Sequence, residues 1–218
     1  MKHILCFFLA GFNLCFAQKL SVDSNITFQT IHSFGASDCW SMQMVGKYYP
    51  IKKREKIAEL LFSKELDNAG NPKGIGLSMW RFNVGAGSAE QGTESKIANE
   101  WRRAECFLEN GLYDWKKQQG QQWFLAAAKR YKVDFTLGFL NSSPAFMNKN
   151  GLAFGNGKLG DWNFDKTKIE DFTSFLAEVS GKFDFDILAL STNLNGIGDQ
   201  NQKLDLLHKK ARPSTMMI

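Results

Sequence analysis

Three short stretches gather the groups able to do chemistry. "SDCW" (37–40) supplies a carboxylate, Asp38, and an indole, Trp40. "RFNVGAGS" (81–88) supplies a guanidinium, Arg81, and an amide, Asn83. "NSSPAFM" (141–147) supplies Asn141, the hydroxyls of Ser142 and Ser143, and the ring of Phe146. Such groups accept and donate hydrogen bonds, orient charge and stack on apolar surfaces. Taken singly, each also has a plain structural reading: an Asp in a turn, an Arg in an ion pair, an aromatic ring in the core. Metal chemistry finds no support in spacing, because His3, His32 and His208 stand far apart and no Cys/His ligand pattern occurs. A phosphate cradle is not indicated either: the glycines of "GIGLSM" precede a strand rather than a helix.

The elements that must position these groups alternate. "NITFQTIHSFGAS" (25–37) alternates apolar and polar residues and reads as a strand. Pro50 then opens "IKKREKIAELLFS" (51–63), where Ile51, Ile57, Leu60 and Leu61 share a helical face. "GIGLSMWRFNVGAGS" (74–88) is an apolar run bounded by glycines, a buried strand. "GQQWFLAAAKRYK" (120–132) reads as a helix, with 126–128 in tight contact with the sheet and Trp115 and Trp123 as packing. "VDFTLGFLNSS" (133–143) is the next strand. "KTKIEDFTSFLAEVSGKF" (166–183) is an amphipathic helix with Ile169, Phe172, Leu176 and Val179 on one stripe, and "FDFDILAL" (183–190) is the fourth strand. This alternation predicts an α/β fold with parallel strands, either an open doubly wound sheet or a (β/α)8 TIM barrel. The barrel is favoured because the chemical groups fall just after strands, on the rim where barrel sites are assembled.

Composition bounds the rest. The 218 residues, 44% hydrophobic and 13% aromatic, suffice for one sizeable core. A net charge of +5 is modest, and the densest basic run, Lys52, Lys53 and Arg54, reads as the solvated face of a helix rather than a nucleic-acid surface. Residues 1–17, MKHILCFFLAGFNLCFA, carry a basic start, a short apolar run and Ala17 before Gln18, the pattern of a cleaved export signal. Secretion or periplasmic residence follows as an expectation, with no membrane association after cleavage. Cys39 and Cys106 remain in a disulfide-permissive compartment, and their pairing is left open.

Four stretches in order, "IHSFGASDCWS" (31–41), "SMWRFNVGAGS" (78–88), "FTLGFLNSSPAFMNKNG" (135–151) and "DFTSFLAEVSGKFDFD" (171–186), resemble glycoside hydrolase family 30, whose patterns read roughly FGASDAWS, RYNIGGGS and SNSPPWWMTKNG. The resemblance covers 21–186 and is greatest to the endo-β-1,6-galactanase-like branch; glucosylceramidases and xylanases share the scaffold. It implies a retaining glycosidase acting on a β-linked galactan or related polysaccharide, without metal or organic cofactor, since two carboxylates suffice. It places Asp38 and Trp40 on the sugar, Arg81 behind the nucleophile, Asn83 in support of the rim, and Asn141, Ser142 and Phe146 in the loop after the third strand. Phe146 stands where the family often has tryptophan.

The resemblance stops at Asp186. The family continues into Asn-Glu-Pro, whose glutamate is the acid/base, and places the nucleophile glutamate after the seventh strand. This chain reads "ILALSTNLNGIGDQ" (187–200), and no Glu follows Glu178. A shifted frame accounts for this. Read from the third base of the Ile187 codon, permitted codons for residues 188–199 give Phe-Ser-Pro-Phe-Asn-Glu-Pro-Gln-Trp-Asp-Trp-Gly. The two tryptophans require glycine at 196 and 198, and both are present. The expectation is three segments: a signal peptide (1–17), the first four βα units of an open, incomplete TIM barrel (18–186), and an out-of-frame tail (187–218). Both catalytic glutamates are then missing, and the chain is inactive or at most a weak carbohydrate-binding module. An α/β binding module of unrelated family is the remaining alternative.

Overall fold

The computed structural model of the chain describes residue 23, residues 25–154 and residues 163–190. The signal-like segment 1–17 and residues 191–218 of the expected tail lie outside the described residues, whereas 187–190 of that tail are described and form a strand. The chain divides into two units, 1–31 and 32–218. In the first, the Asp23 carboxylate accepts the Asn25 N–H at 2.9 Å, and the described residues hold no strand.

The second unit is built on four parallel strands: β1 (Gly35–Ser37), β2 (Met79–Asn83), β5 (Phe135–Leu140) and β6 (Ile187–Leu190), in the order β1-β2-β5-β6. Between β1 and β2 run α1 (Met42–Tyr48) and α2 (Ile51–Phe62). Between β2 and β5 come a single turn α3 (Ser88–Gln91), the antiparallel hairpin β3 (Leu108–Glu109) and β4 (Leu112–Tyr113), and α4 (Gln119–Arg130). α5 (Ile169–Phe183) joins β5 to β6. The architecture is that of a partial TIM barrel, α/β and unclosed. The alternating pattern 25–37 yields only the three residues of β1. Alternation makes a strand only where a neighbouring backbone is offered, and Phe28 is 92% exposed.

Register explains the rim. Ser37 lies opposite Arg81, Asn83 opposite Phe139, and Leu140 opposite Leu190, so β2, β5 and β6 end within one residue of one another and β1 stops two residues short of β2. The β6 edge is pinned before the strand begins: the Asp186 carboxylate accepts both the N–H and the hydroxyl of Thr136, at 2.7 and 2.9 Å. Lys129 of α4 donates to the Phe183 carbonyl at 2.6 Å, covering a carbonyl that the end of α5 leaves without a helical partner.

Alternate strand residues point to the helices. Trp80 meets Phe62 of α2 edge-on at 5.0 Å, and Phe82 lies 5.2 Å from Phe183 and 5.4 Å from Phe185. Full burial of such rings contributes roughly 1.5–3 kcal/mol each. α5 buries Phe172, Phe175, Leu176, Val179 and Phe183, the stripe its periodicity predicts, with Ile169 half-buried. α2 turns differently from expectation. Its inward face runs through Ala58 and Phe62, whereas Ile51 and Leu60 are 51% and 49% exposed. The large Phe62 ring sets the rotation, and the two aliphatic residues fall on flanks. Arg54 is likewise not part of a solvated run: it donates to the Gly46 carbonyl and stacks 5.0 Å from the Trp123 ring. Of 126–128, Ala127 and Ala128 are fully buried and Ala126 is exposed.

α1 and α4 touch backbone to backbone. A Cβ on Gly46 would lie 2.2 Å from the Gly120 carbonyl oxygen, and one on Gly120 would lie 1.9 Å from that of Gln43. Only glycine permits this approach.

Candidate active site

Asp38 follows β1 directly and is 1% exposed. Its N–H donates to the Arg81 carbonyl at 3.0 Å, which extends the β1–β2 pairing by one residue. Its carboxylate accepts the Asn83 N–H at 2.9 Å through Oδ1, while Oδ2 has no partner among the described residues. Burial pushes its pKa well above the ordinary 3.8, against the opposing pull of the Asn83 N–H and the Arg81 charge. A carboxyl so placed keeps one buried oxygen without a hydrogen-bond donor.

Asn141, just beyond β5, donates to Asn83 Oδ1 at 3.0 Å and approaches Cys39 Sγ at 3.6 Å. The ends of three adjacent strands are thus joined side chain to side chain. Arg81 projects from the inner side of β2, with its guanidinium 3.4 Å from the centre of the Phe139 ring and Nε without a hydrogen-bond acceptor. Stacking occupies the face of the guanidinium and leaves its edge for an anionic partner. Asp38, Arg81, Asn83 and Asn141 form one cluster.

Trp40 is half-buried at the start of the turn into α1. The Arg102 guanidinium lies over its ring at 4.9 Å. Cys39 and Cys106 are both free thiols, and burial raises each, Cys106 to about 12.

Ser142 and Phe146 stand apart from that cluster. Ser142 is 4% exposed; its hydroxyl donates to the Ser143 carbonyl and accepts from Asn148. Asn148 also donates to the Leu152 carbonyl at 2.7 Å and accepts from the Ser143 hydroxyl, so both serines hold the loop in shape. Phe146, 54% exposed, lines a cleft of about 320 Å³ with Glu90, Gln91 and the hairpin residues Leu108–Glu109. Sequence reasoning missed Gln118, which is fully buried and donates through its side-chain amide to the Val84 and Glu105 carbonyls behind the β2 rim. It also missed Gln43, which accepts from the Gly120 N–H at 3.0 Å and donates to Glu105 at 3.0 Å. Isolated glutamines carry no periodic signal that would mark them. Among the described residues no group of three His, Cys, Asp or Glu could hold a metal ion, and no helix is long and apolar enough to cross a membrane.

Comparison with known proteins agrees with this geometry. The sequence pattern of O-glycosyl hydrolase family 30 matches residues 17–194. No curated protein matches the chain. Among solved structures, a conserved exported protein from Bacteroides fragilis is 38% identical, with a TM-score of 0.69, over 78% of this chain and 36% of that one. The catalytic domain of the family 30 xylanase C from Talaromyces cellulolyticus shares the fold at 20% identity and a TM-score of 0.52, over 75% of this chain and 37% of that one. The endo-β-1,6-glucanase BT3312 does so at 12% identity and a TM-score of 0.52, over 77% and 36%. The chain therefore spans little more than a third of the structures it matches. With the family pattern extending across most of its length, the chain belongs to O-glycosyl hydrolase family 30.

Proposed function

We propose that the chain carries the sugar-binding half of a secreted, retaining β-glycoside hydrolase, and that as it stands it does not cleave glycans. The observation that carries this reading is the convergence of Asp38, Arg81, Asn83 and Asn141 at the ends of three adjacent parallel strands. A barrel enzyme assembles its site there. Asp38 offers its free oxygen to a sugar hydroxyl, Trp40 a ring for the C–H face, and Arg81 a charge to orient a nucleophilic carboxylate.

Retention requires two carboxyl groups about 5 Å apart. Asp38 is not counted as one of them, since the motif it matches resembles the sugar-contacting segment after the first strand; its Oδ1 accepts the Asn83 N–H. The acid/base belongs after β6, where "STNLNGIGDQ" (191–200) offers no glutamate, and Asp199 is the first carboxylate. Out-of-frame reading from about residue 187 accounts for the loss, with the missing glutamate encoded across the Thr192 and Asn193 codons. Export is supported by the leader-like residues 1–17 and by the exported relative. The substrate is a β-1,6-linked galactan or a related polymeric β-glycan, a reading supported by the family match and by the likeness of the rim motifs to the galactanase-like branch. A non-catalytic carbohydrate-binding role for the present chain fits the same site.

The deciding experiment resequences the locus across the Asp186 codon, then expresses the chain as it stands and with the frame restored. The products are assayed on β-1,6-galactan, β-1,6-glucan and xylan. Cleavage with retained configuration by the restored enzyme alone is expected. Hydrolysis by the unrestored chain, or a locus with no Asn-Glu-Pro reading in any frame, overturns the proposal.

A further inference from the structure

Arg102 belongs to none of the sequence patterns that mark the site, yet its guanidinium lies 4.9 Å from the centre of the Trp40 ring. It ends a short 3-10 turn, Glu100–Arg102, which is built to hold it. The Asn99 side chain accepts the Trp101 N–H at 3.0 Å, the Arg102 N–H reaches the Asn99 carbonyl at 3.0 Å, and Arg103 Nε donates to the Ile97 carbonyl at 2.9 Å. Among the described residues Arg102 makes no ion pair. Glu100 of the same turn forms no ion pair with it, while Glu105 accepts from Gln43 and Gln118, and Glu90 from Lys117 and the Cys106 N–H.

A guanidinium stacked on an indole uses its face and keeps its in-plane N–H donors free. Those donors form a fork that matches two oxygens of a carboxylate or a sulfate. Trp40 and Arg102 together present an indole with a guanidinium over one face, and no carboxylate among the described residues pairs with that guanidinium. We infer that Arg102 is a specificity residue that selects glycans carrying an anionic group, a uronate carboxylate or a sulfate ester, next to the sugar held at Trp40. This rests on Trp40 being part of a sugar site.

The test is calorimetric titration of the full chain, wild type and the Arg102→Gln and Arg102→Lys variants, with three oligosaccharides of equal length: neutral galacto-oligosaccharide, its uronate-bearing analogue and its sulfated analogue. At low salt the wild type should bind at least one anionic ligand about tenfold tighter than the neutral one, as one charge-assisted contact implies. Whichever anion shows the advantage names the source. Arg102→Gln should abolish that advantage while lowering neutral binding far less than anionic binding, Arg102→Lys should retain part of it, and salt should erode it. Equal wild-type affinity for all three ligands overturns the inference and leaves the sugar site standing. So does an equal loss of neutral and anionic binding in Arg102→Gln, which would mark a purely structural residue. Binding of none of them overturns both readings.

Discussion

On the helix-facing side of the parallel sheet, Trp80, Phe82, Thr136 and Leu140 are each at most 3% exposed. On the opposite side, Met79, Arg81, Leu137, Phe139, Ile187 and Ala189 are only half-buried. β2 and β5 carry both sets in alternation, except that Asn83 at the end of β2 is buried, whereas β6 is half-buried along its whole length. One side is closed by α2, α4 and α5, and its rings interlock with Phe62, Phe124 and Phe183. The other is the interior face of a barrel, and only β1, β2, β5 and β6 are present to line it among the described residues. The packed side supplies the stability of this unit. The open side, with the rim above it, supplies Arg81 and the cluster around Asp38.

The sharpest way to break this comparison is a pair of truncations. Phe82→Ala should cost about 3–5 kcal/mol and unfold much of the population, while Phe139→Ala should cost no more than about 1 kcal/mol. Equilibrium urea unfolding of both variants decides it, and equal midpoint shifts would mean that the inner face is as tightly packed as the outer. Next in size are two glycine substitutions. Gly46→Ala forces a methyl group into the Gly120 carbonyl and should destabilise by about 1–3 kcal/mol. Gly181→Ala, on the open surface of α5 with nothing near its added Cβ, should stabilise by about 0.5–1 kcal/mol. The same unfolding experiment reads both signs.

The subtlest probe falls where the two sides meet, at Asp38. Its folded pKa is raised, so the native state holds its proton more tightly than the unfolded chain does. Stability contributed by this group is fully present below the unfolded value, near 3.8, and is lost as pH rises through the folded pKa. Asp38→Asn removes that loss and keeps an acceptor for the Asn83 N–H. Thermal melts between about pH 4 and about pH 8 should show the variant gaining on the wild type as pH rises. A constant difference would mean that the carboxyl is ordinary. Sugar affinity should fall in the same variant, since the freed oxygen becomes an amide.

Much of the framework was legible because period and punctuation agreed. The α5 stripe, the β2 and β5 runs and the βα alternation all follow from residue order alone. β1 did not, because alternation at Ile26, Phe28 and Ile31 says nothing about whether a neighbouring strand exists. The hairpin β3–β4 was overlooked although its signal is explicit: Asn110 and Gly111, both at positive φ, form the two-residue Asn-Gly turn that joins antiparallel strands. In the site, residue types marked Asp38, Arg81, Asn83 and Asn141. The bond from the Asn83 N–H to Asp38 was hidden, because it depends on parallel register across 45 residues. Ser142 looked like a ligand by position alone, and its hydroxyl is turned to its own loop. Arg102 escaped notice because a guanidinium over a ring leaves no pattern in sequence.

The glycine contact between α1 and α4 has a further meaning for how such a site can change. α1 leaves β1 directly behind Trp40, so whatever fixes α1 fixes the direction in which that ring is carried. The contact at Gly46 and Gly120 is made by main-chain atoms, which no exchange of rim side chains alters. The groups proposed to read a sugar are thereby uncoupled from the groups that aim them. On that proposal, preference among sugars drifts through Asp38, Trp40 or Arg102 while the mounting stays rigid.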